Sequence, residues 1–232
     1  IGQQVVVENM GGGGGSIASQ AVAKAPADGY TLLLVASPFT TVAAASPTAG
    51  YDPVRSFSPV GMIASGPLVW ATNHQTGIHT MQELVAYAKQ KPGVLNYGSA
   101  GAGGVNHLLL ELLKSKTGTF ITHIPYRGAG PALNDTVAGQ VLIIFDNMPS
   151  ALPFIKEGRL IPIVVAATQR LPQLPNVPTF KEVGLEPVNR MAFYGIYGPK
   201  GMPKEIVEKV NAGVRKALED PAVRKRIEDT GS

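Results

Sequence analysis

Cysteine is absent from the 232 residues of this chain. Its absence excludes a disulfide-stapled scaffold, a cysteine-ligated zinc or iron–sulfur site and a cysteine nucleophile. Charge is also scarce, because only 16% of the residues are charged while 44% are hydrophobic. A disordered chain has the opposite balance, and a chain of this length buries roughly 70% of its unfolded surface without help from a metal. We therefore expect a folded protein.

Long apolar runs and a one-sided charge are missing too. The longest apolar runs are Leu32–Ala36, Val141–Phe145 and Leu160–Ala167, well short of the roughly 18–20 residues that a membrane-spanning helix needs. Residues 97–194 carry eight basic and six acidic residues and the remainder carries 12 and 10, so each part has a net charge of +2. This even distribution argues against a nucleic-acid surface. The chain opens with Ile1 rather than Met, so its start does not reveal a location.

Glycine and proline, by contrast, are plentiful, with 27 and 19 residues. They punctuate a repeated order of apolar run, small-residue turn and helical pattern, which is typical of an α/β fold with parallel strands covered by helices. Two such α/β sets are followed by a return segment. The apolar runs are Val5–Val7, Thr31–Ala36, Pro67–Thr72, Val94–Gly98, Ile121–Tyr126, Val141–Phe145, Ile161–Thr168 and Ala192–Tyr197.

Three turns of small residues lie where an apolar run ends and a helical pattern begins, at Gly11–Ser16, Gly98–Gly104 and Gly128–Pro131. Free backbone N–H groups at a helix start bind anions, and glycine lets a ligand approach the backbone closely. The glycines are equally explained as turns that any α/β fold requires. Because ligands in such folds lie beyond the carboxyl ends of the strands, the turns are candidate anion sites.

Polar side chains beside these turns extend the candidate site. Arg127 follows a strand and could hold a carboxylate with two parallel hydrogen bonds, or it could be a surface residue. Asp146 and Asn147 could bind a ligand by hydrogen bonds, or cap the helix ahead of Pro149. The histidines lack metal-binding spacing, and we interpret them as satisfied polar or surface residues. They are His74, His79, His107 and His123.

Enzyme motifs fail when they are tested residue by residue. The phosphate-binding P-loop pattern is absent, and the dinucleotide pattern that starts at Gly101 has Asn106 where its third glycine belongs. The segment Tyr97–Gly101 has tyrosine where the nucleophile elbow of serine hydrolases needs glycine. We therefore assign no catalytic residue, no cofactor and no metal.

Several segments nevertheless point to a known family. Nearly from end to end, the chain resembles the extracytoplasmic solute-binding receptors of the tripartite tricarboxylate transporter system, the Bug-type family. The most specific segments of this resemblance are Val7–Asn9, Ala27–Leu32, Leu95–Ser99, His123–Gly128 and Phe145–Asn147.

The resemblance implies a two-lobed periplasmic-binding-protein fold, of the type II kind, with a ligand cleft between the lobes. Each lobe is expected to be a largely parallel sheet flanked by helices. The implied first lobe comprises residues 1–96 and 195–232, and the second comprises residues 97–194, with crossings at Leu95–Ser99 and Phe193–Gly198. Members of the family usually begin further upstream, so we expect the N-terminal strand of the first lobe and some of its ligand contacts to lie before residue 1.

The resemblance also implies a function without catalysis. The receptor would capture a small mono-, di- or tricarboxylate, aromatic ones included, close on it like a clamshell and deliver it to the subunits of a membrane transporter. It would be periplasmic and monomeric, with no nucleic-acid partner. The implied ligand-binding residues are Ser37, Pro38, Ser99, Ala100, Ala102, Gly103, Gly104, Tyr126, Arg127, Gly128, Ala129, Asp146 and Asn147.

Two other functions share parts of this pattern. The effector-binding domain of a transcription regulator has the same two-lobed architecture and predicts a DNA-binding segment upstream. An α/β enzyme acting on an anionic substrate would use the same glycine turns, but it needs a base and a nucleophile that the sequence does not show.

Overall fold

The structure, a computed structural model, describes residue 2 and residues 4–229. Strands and helices alternate along this part of the chain. The strands are β1 (Leu33–Ala36), β2 (Phe57–Gly66), β3 (Leu68–Asn73), β4 (Asn96–Ser99), β5 (Thr122–Pro125), β6 (Ile143–Asn147), β7 (Leu160–Ala166) and β8 (Ala192–Pro199). The helices are α1 (Ser16–Ala23), α2 (Pro38–Ala45), α3 (Met81–Gln90), α4 (Val105–Thr117), α5 (Ala129–Val137), α6 (Met148–Lys156), α7 (Lys204–Glu219) and α8 (Pro221–Asp229). Three short 3₁₀ turns are Gly13–Gly15, His74–Thr76 and Glu186–Val188.

The larger lobe is built on a five-stranded sheet of order β5-β4-β6-β3-β7, with α3 to α6 packed on it. β4 runs parallel to β5 and β6, while β3 runs antiparallel to β6 and β7. Every residue of β3 is buried, as expected for a strand with neighbours on both sides and helices on both faces. The expected parallel strands are therefore present, with one strand of opposite direction among them.

The smaller lobe is built on a three-stranded sheet of order β1-β8-β2, against which α1, α2 and α7 pack. Both of its strand pairs are antiparallel, which differs from the parallel sheet expected for this lobe. The reason is that β8 returns from the larger lobe and lies between two strands that both run the other way. An apolar run shows that a strand is buried but not which direction its partner takes.

The chain crosses between the two sheets at a different place from the one implied by the family resemblance. It leaves the smaller sheet at Pro67, between β2 and β3, whereas the expected first crossing was Leu95–Ser99. β3 and α3 share one core with β4, in which Trp70 and Leu84 pack with Tyr97. Both Pro67–Thr72 and Val94–Gly98 have the pattern of a buried strand, and that pattern does not show which sheet a strand joins. The return strand β8 lies in the smaller sheet, between β1 and β2.

Aromatic side chains fill both cores. In the larger lobe the rings of Trp70, Phe145 and Phe180 lie 5.8–6.0 Å apart, and Trp70 is fully buried in this core. In the smaller lobe Phe39 packs against Phe57 at 5.0 Å and against Tyr197 at 4.8 Å. The apolar run Val5–Val7, in contrast, is exposed and forms no strand within the described residues.

Helix boundaries follow local capping rules. α3 begins at a capping box, in which the Thr80 hydroxyl accepts from the Glu83 N–H and the Glu83 carboxylate accepts from the Thr80 N–H. α4 ends at Gly118, whose φ of 63° suits glycine. α1 begins at Ser16, because Gly15 takes the capping position at a φ of 92°. None of the helices formed by the described residues is both long and apolar enough to cross a membrane.

Candidate functional site

Three loops of the larger lobe lie at one edge of its sheet, where the parallel strands β4, β5 and β6 end. β4 is aligned with β5 through Ser99 and Pro125 and with β6 through Gly98 and Ile144, so the three strands end side by side. This edge is the usual position for a ligand in such sheets. The structure thus brings together most of the predicted residues, in the loops Ser99–Gly104, Tyr126–Ala129 and Asp146–Asn147.

A helix begins directly after each of these loops, and its start is left without a side-chain cap. The residues that precede α4, α5 and α6 are Gly104, Gly128 and Asn147, and none of them bonds its helix through a side chain. α1 of the smaller lobe begins after Gly15 in the same way. The first N–H groups of a helix have no partner inside it and carry a partial positive charge. These helix starts are therefore suited to an anion.

The two lobes approach each other through glycine backbone. A Cβ atom at Gly101 would lie 3.3 Å from the backbone nitrogen of Gly14, and one at Gly11 would lie 3.7 Å from the carbonyl oxygen of Arg127. Gly101 has a φ of 137°, and a Cβ atom at Gly14, where φ is 64°, would collide with Val42. The glycine run of the smaller lobe therefore faces the candidate loops, and side chains there would keep the lobes apart.

Ser37 and Pro38 border the same region from the smaller lobe. Ser37 is buried, and its hydroxyl accepts a hydrogen bond from the Phe193 N–H at 3.0 Å, which ties the start of α2 to the return strand. Pro38 is the first residue of α2. Three residues further along α2, the buried hydroxyl of Thr41 has no hydrogen-bond partner among the described residues.

A histidine pair lies beneath the loop Ser99–Gly104. The Ser99 hydroxyl is 2.6 Å from Nε2 of His123, and the rings of His107 and His123 stack with centroids 4.1 Å apart. Nδ1 of His107 accepts a hydrogen bond from the Gly103 N–H at 3.1 Å. Burial lowers the pKa of His107 and lowers that of His123 to about 4. Both rings are therefore neutral at neutral pH, and both are satisfied polar residues, as the sequence suggested.

Asp146 and Asn147 end β6 with an incompletely bonded carboxylate. Oδ1 of Asp146 accepts from the Asn147 N–H at 2.8 Å, while Oδ2 is buried and finds no donor within residues 4–229. Burial raises the pKa of Asp146 to about 6. Oδ1 of Asn147 accepts from the Tyr194 hydroxyl at 3.0 Å, so this end of β6 is joined to the return strand β8. Oδ2 of Asp146 is therefore free to bind a ligand, the first of the two roles predicted for this pair. The second role, helix capping, is not played by Asn147, whose side chain makes no capping hydrogen bond to α6.

Tyr126 and Arg127 differ in how firmly they are held. The Tyr126 hydroxyl donates to Oδ2 of Asp135 at 2.7 Å, and burial together with this carboxylate raises the pKa of Tyr126 to about 12. Arg127 is exposed, and the part of the chain that the structure describes offers it no ion pair. Its guanidinium is therefore available at the rim of the site. Whether the predicted residues touch a ligand stays a prediction.

Some residues of this region were missed by the sequence reasoning. Gly14 belongs to a turn that was noticed, but its approach to Gly101 depends on how the lobes meet. Tyr194 and His107 belong to no recognised sequence motif. Tyr194, for example, is 47 residues from its hydrogen-bond partner Asn147 in sequence. The Asn106–Phe145 hydrogen bond, 2.5 Å long, joins α4 to β6 in the same way. Only the sheet order brings such residues together.

A family model described as the tripartite tricarboxylate transporter family receptor matches residues 1–232 of the chain. Among relatives, the UPF0065 protein in the TAR-I ttuE-ttuC' intergenic region of Agrobacterium vitis is 38% identical over 232 residues, which is 100% of this chain and 67% of the relative. Protein BugT of Bordetella pertussis is 36% identical over 225 residues, covering 96% of this chain and 69% of the relative.

Solved structures are similar to this one over most of its length. The periplasmic binding protein BugD superposes with a TM-score of 0.95 at 33% identity, covering 99% of this chain and 77% of BugD. Rpa4515 of R. palustris, solved with adipate, gives 0.94 at 34% identity over 99% of this chain and 77% of its own. MatC of Rhodopseudomonas palustris, solved with bound malate, gives 0.90 at 34% identity over 95% of this chain and 75% of its own.

Proposed function

Because the chain belongs to the tripartite tricarboxylate transporter receptor family, which consists of solute-binding receptors rather than enzymes, we propose that it binds a small carboxylate between its lobes. The ligand is a mono-, di- or tricarboxylate, aromatic ones included. The protein delivers it to the membrane subunits of a transporter and works in the periplasm, the location printed for the similar protein BugD.

One observation carries this proposal. The starts of α4, α5 and α6 lie at one sheet edge and are uncapped by side chains, and the loops before α4 and α5 approach the glycine run of the smaller lobe. A carboxylate accepts hydrogen bonds from such N–H groups and gains from the positive end of each helix. The similar proteins solved with adipate and malate bind ligands of this class.

The electrostatics of the region agree with a ligand held largely by backbone. Lysine and arginine are missing from the buried polar residues described here, and exposed Arg127 is the cation next to the loops. A buried cation would have to be desolvated when the cleft is empty, which is costly. Helix starts avoid that cost, because their dipoles are fixed by the fold and remain in place without a ligand.

The division into lobes follows from the crossings. We place the lobe boundary at Pro67 and at the segment before β8, so that β3 and α3 move with the larger lobe. In this division β8 is the hinge strand, and the hydrogen bond from the Phe193 N–H to the Ser37 hydroxyl joins it to the start of α2. Closure then presses the glycine run onto the loop Ser99–Gly104, and the short distance between Gly101 and Gly14 supports this. The closed, loaded form is the one that the transporter recognises.

Thermal unfolding of the natural full-length protein tests the proposal. Adipate, malate, citrate and benzoate are each added over a concentration series, with the matching amides as uncharged controls. A ligand at 100 times its Kd stabilises the protein by about 2.7 kcal/mol, while its amide gives no shift. Isothermal titration calorimetry then measures the Kd. If no member of a broad carboxylate panel raises the melting temperature, the proposed function is wrong.

A further inference from the structure

The loop Ser99–Gly104, here called the ligand loop, is held by hydrogen bonds to two histidines. His107 lies in the first turn of α4 and His123 lies on β5. Both are half-buried. Their rings stack on each other at 4.1 Å, and His123 also stacks on Tyr97 at 4.7 Å. The pair therefore forms a rigid support under the loop.

The two histidines bond the ligand loop at its two ends. At the first end, Nε2 of His123 is 2.6 Å from the Ser99 hydroxyl, which in turn contacts the Gly101 backbone at 3.2 Å. At the other end, the Gly103 N–H donates to Nδ1 of His107 at 3.1 Å. Gly103 faces α2 of the smaller lobe, since a Cβ atom there would lie 3.5 Å from that of Ala45.

The bond from Gly103 fixes the protonation state of His107. A nitrogen that accepts a hydrogen bond carries no proton, so the proton of the neutral ring is on Nε2. Nε2 lies 4.0 Å from Oε1 of Glu111. When the ring takes a second proton, Nδ1 becomes a donor and meets the Gly103 N–H as donor against donor. The bond to the loop is then lost.

The groups around His107 come from three elements. Burial disfavours its charge, and His123 on β5 stacks on its ring. Glu111 and Lys114 on α4 have opposite effects, since the carboxylate favours a charged ring and the ammonium disfavours it. Tyr97 on β4 shares Glu111 by donating to Oε1 at 2.8 Å, and Lys114 donates to the same oxygen at 2.8 Å. Glu111 is thus largely occupied by other donors.

We propose that His107 is a positioning residue for the ligand loop, which holds the loop in its binding conformation while neutral and releases it at Gly103 when protonated. This inference rests on the proposed function, because it describes how the same site is kept ready for a carboxylate. It makes ligand affinity fall as the pH drops below the ordinary range of histidine, in addition to any titration of the ligand. Binding in turn favours the neutral ring.

Two substitutions separate this role from packing. In His107→Asn, Oδ1 takes the place of Nδ1 and accepts the Gly103 N–H but does not titrate. In His107→Phe, the ring still stacks on His123 but has no acceptor. The Kd for the tightest-binding carboxylate of the panel is measured for the full-length protein and both variants from pH 8 to pH 4.5. Circular dichroism confirms that each variant is folded at each pH.

We expect the wild type and the Asn variant to have equal Kd values at pH 8. On acidification the Kd of the wild type should rise roughly three- to tenfold relative to that of the Asn variant, which is the effect of losing one hydrogen bond. The Phe variant should be weaker by the same factor at pH 8, with a pH profile parallel to that of Asn. Identical profiles for wild type and Asn, or wild-type affinity of Phe at pH 8, would overturn the inference while leaving the proposed function intact.

The free protein gives a second readout that does not depend on any ligand. In wild type the amide resonance of Gly103 should shift with the titration of His107, and its hydrogen exchange should accelerate at low pH beyond the intrinsic trend. In the Asn variant neither change should occur. If the Gly103 amide ignores the titration of His107, the inference is wrong even where binding is normal. If no carboxylate binds but the amide follows His107, the proposed function fails and the hydrogen bond stands.

Discussion

Helices α3 and α4 belong to the same lobe, but side chains bond the first backbone N–H groups of α3 and not those of α4. At α3 the side chains of Thr80 and Glu83 satisfy backbone N–H groups reciprocally, with distances of 3.1 and 3.2 Å. At α4, and likewise at α5 and α6, the preceding residue offers no side-chain cap. A cap stabilises a helix by roughly 1 kcal/mol. The helices of the cleft therefore forgo stability that the helix away from it retains, and their N–H groups stay available.

Two carboxylates repeat the contrast. Glu83 is surrounded by donors, and the hydrogen bonds from the His79 and Thr80 N–H groups hold its pKa below the ordinary value. Asp146 is buried with one oxygen unpaired, which raises its pKa to about 6. Among the described residues, the buried side-chain atoms without a hydrogen-bond partner are Oδ2 of Asp146, the Thr41 hydroxyl, Nε1 of Trp70 and Oε1 of Gln173, so they are not confined to the cleft. Of these atoms, Oδ2 of Asp146 lies at the sheet edge where the candidate loops meet, which makes it the one that a ligand in the cleft would complete.

Of the substitutions at the cleft, Gly101→Val should reduce carboxylate affinity the most. The new side chain would start 3.3 Å from the backbone of Gly14 and would have to adopt a φ of 137°, so the lobes could not close on the ligand. We expect the carboxylate affinity to fall by at least about a hundredfold, or 2.7 kcal/mol. Calorimetric titration measures it.

Gly118→Val is the matched control for that experiment. Gly118 also has a left-handed φ, 63°, but a side chain there meets open space. Strain should cost the control variant roughly 1–2 kcal/mol of unfolding free energy and leave the Kd unchanged. Equal Kd values for Gly101→Val and wild type would mean that the approach of Gly101 to Gly14 has no part in binding.

The positions of single elements were predictable from this sequence, because each depends on neighbours in the chain. The capping box of Thr80 and Glu83 needs only these two residue types three positions apart. The apolar runs after Val94, Ile121 and Val141 gave strands β4, β5 and β6, and the glycine turns gave the loops at their ends. Such patterns require only a period and a turn residue.

What could not be predicted depends on pairing between distant segments. Leu68–Asn73 is wholly buried, and a buried strand is compatible with either sheet. The crossing was therefore predicted at Leu95–Ser99, whereas the chain leaves the smaller sheet at Pro67. The His107–His123 stack requires β5 to lie beside β4 with α4 above them. Gly14 meets Gly101 only because the lobes face each other. Local sequence carries no information on these contacts.

Asp146→Asn should sharpen the contrast between the carboxylates by making stability less dependent on pH. The folded pKa of about 6 lies above the ordinary value, so the folded protein holds an extra proton near pH 5 and loses stability as the pH rises from 4 to about 7. For wild type this loss amounts to roughly 2–3 kcal/mol. The variant should not show it, and its stability relative to wild type should rise by that amount between pH 4 and pH 8 in urea unfolding.

Glu83→Gln is a control in which the effect on the pH dependence of stability should have the opposite sign. Because the pKa of Glu83 is lowered in the fold, its carboxylate stabilises the protein above its unfolded pKa, and this contribution disappears on acidification. The Gln variant should therefore be weaker than wild type at pH 8 and closer to it at pH 3. If Asp146→Asn and wild type lose stability in parallel from pH 4 to pH 8, Oδ2 of Asp146 is better solvated than the structure indicates.

Gly104→Asp tests whether the helix start at the ligand loop is reserved for a ligand. Gly104 has φ −66° and ψ 160°, an N-cap conformation that any residue can adopt. The new carboxylate should cap α4 and raise the unfolding free energy by a few tenths of a kcal/mol. It should also compete with a carboxylate ligand and repel it, which weakens binding by roughly tenfold. Gly104→Asn, a neutral cap, should weaken binding less; equal affinities for both variants and wild type would mean that this helix start is not used.

Thr80→Ala has the smallest expected effect and tests the other side of the comparison. Removing the hydroxyl leaves the Glu83 N–H without its partner and should lower the unfolding free energy by about 1 kcal/mol, with no change in carboxylate affinity. Thr80→Ser retains the hydroxyl and should behave as wild type in both measurements. A change in affinity for Thr80→Ala would show that α3 is coupled to the cleft. The capped and uncapped helices would then not be independent, and the stability of one would contribute to binding at the other.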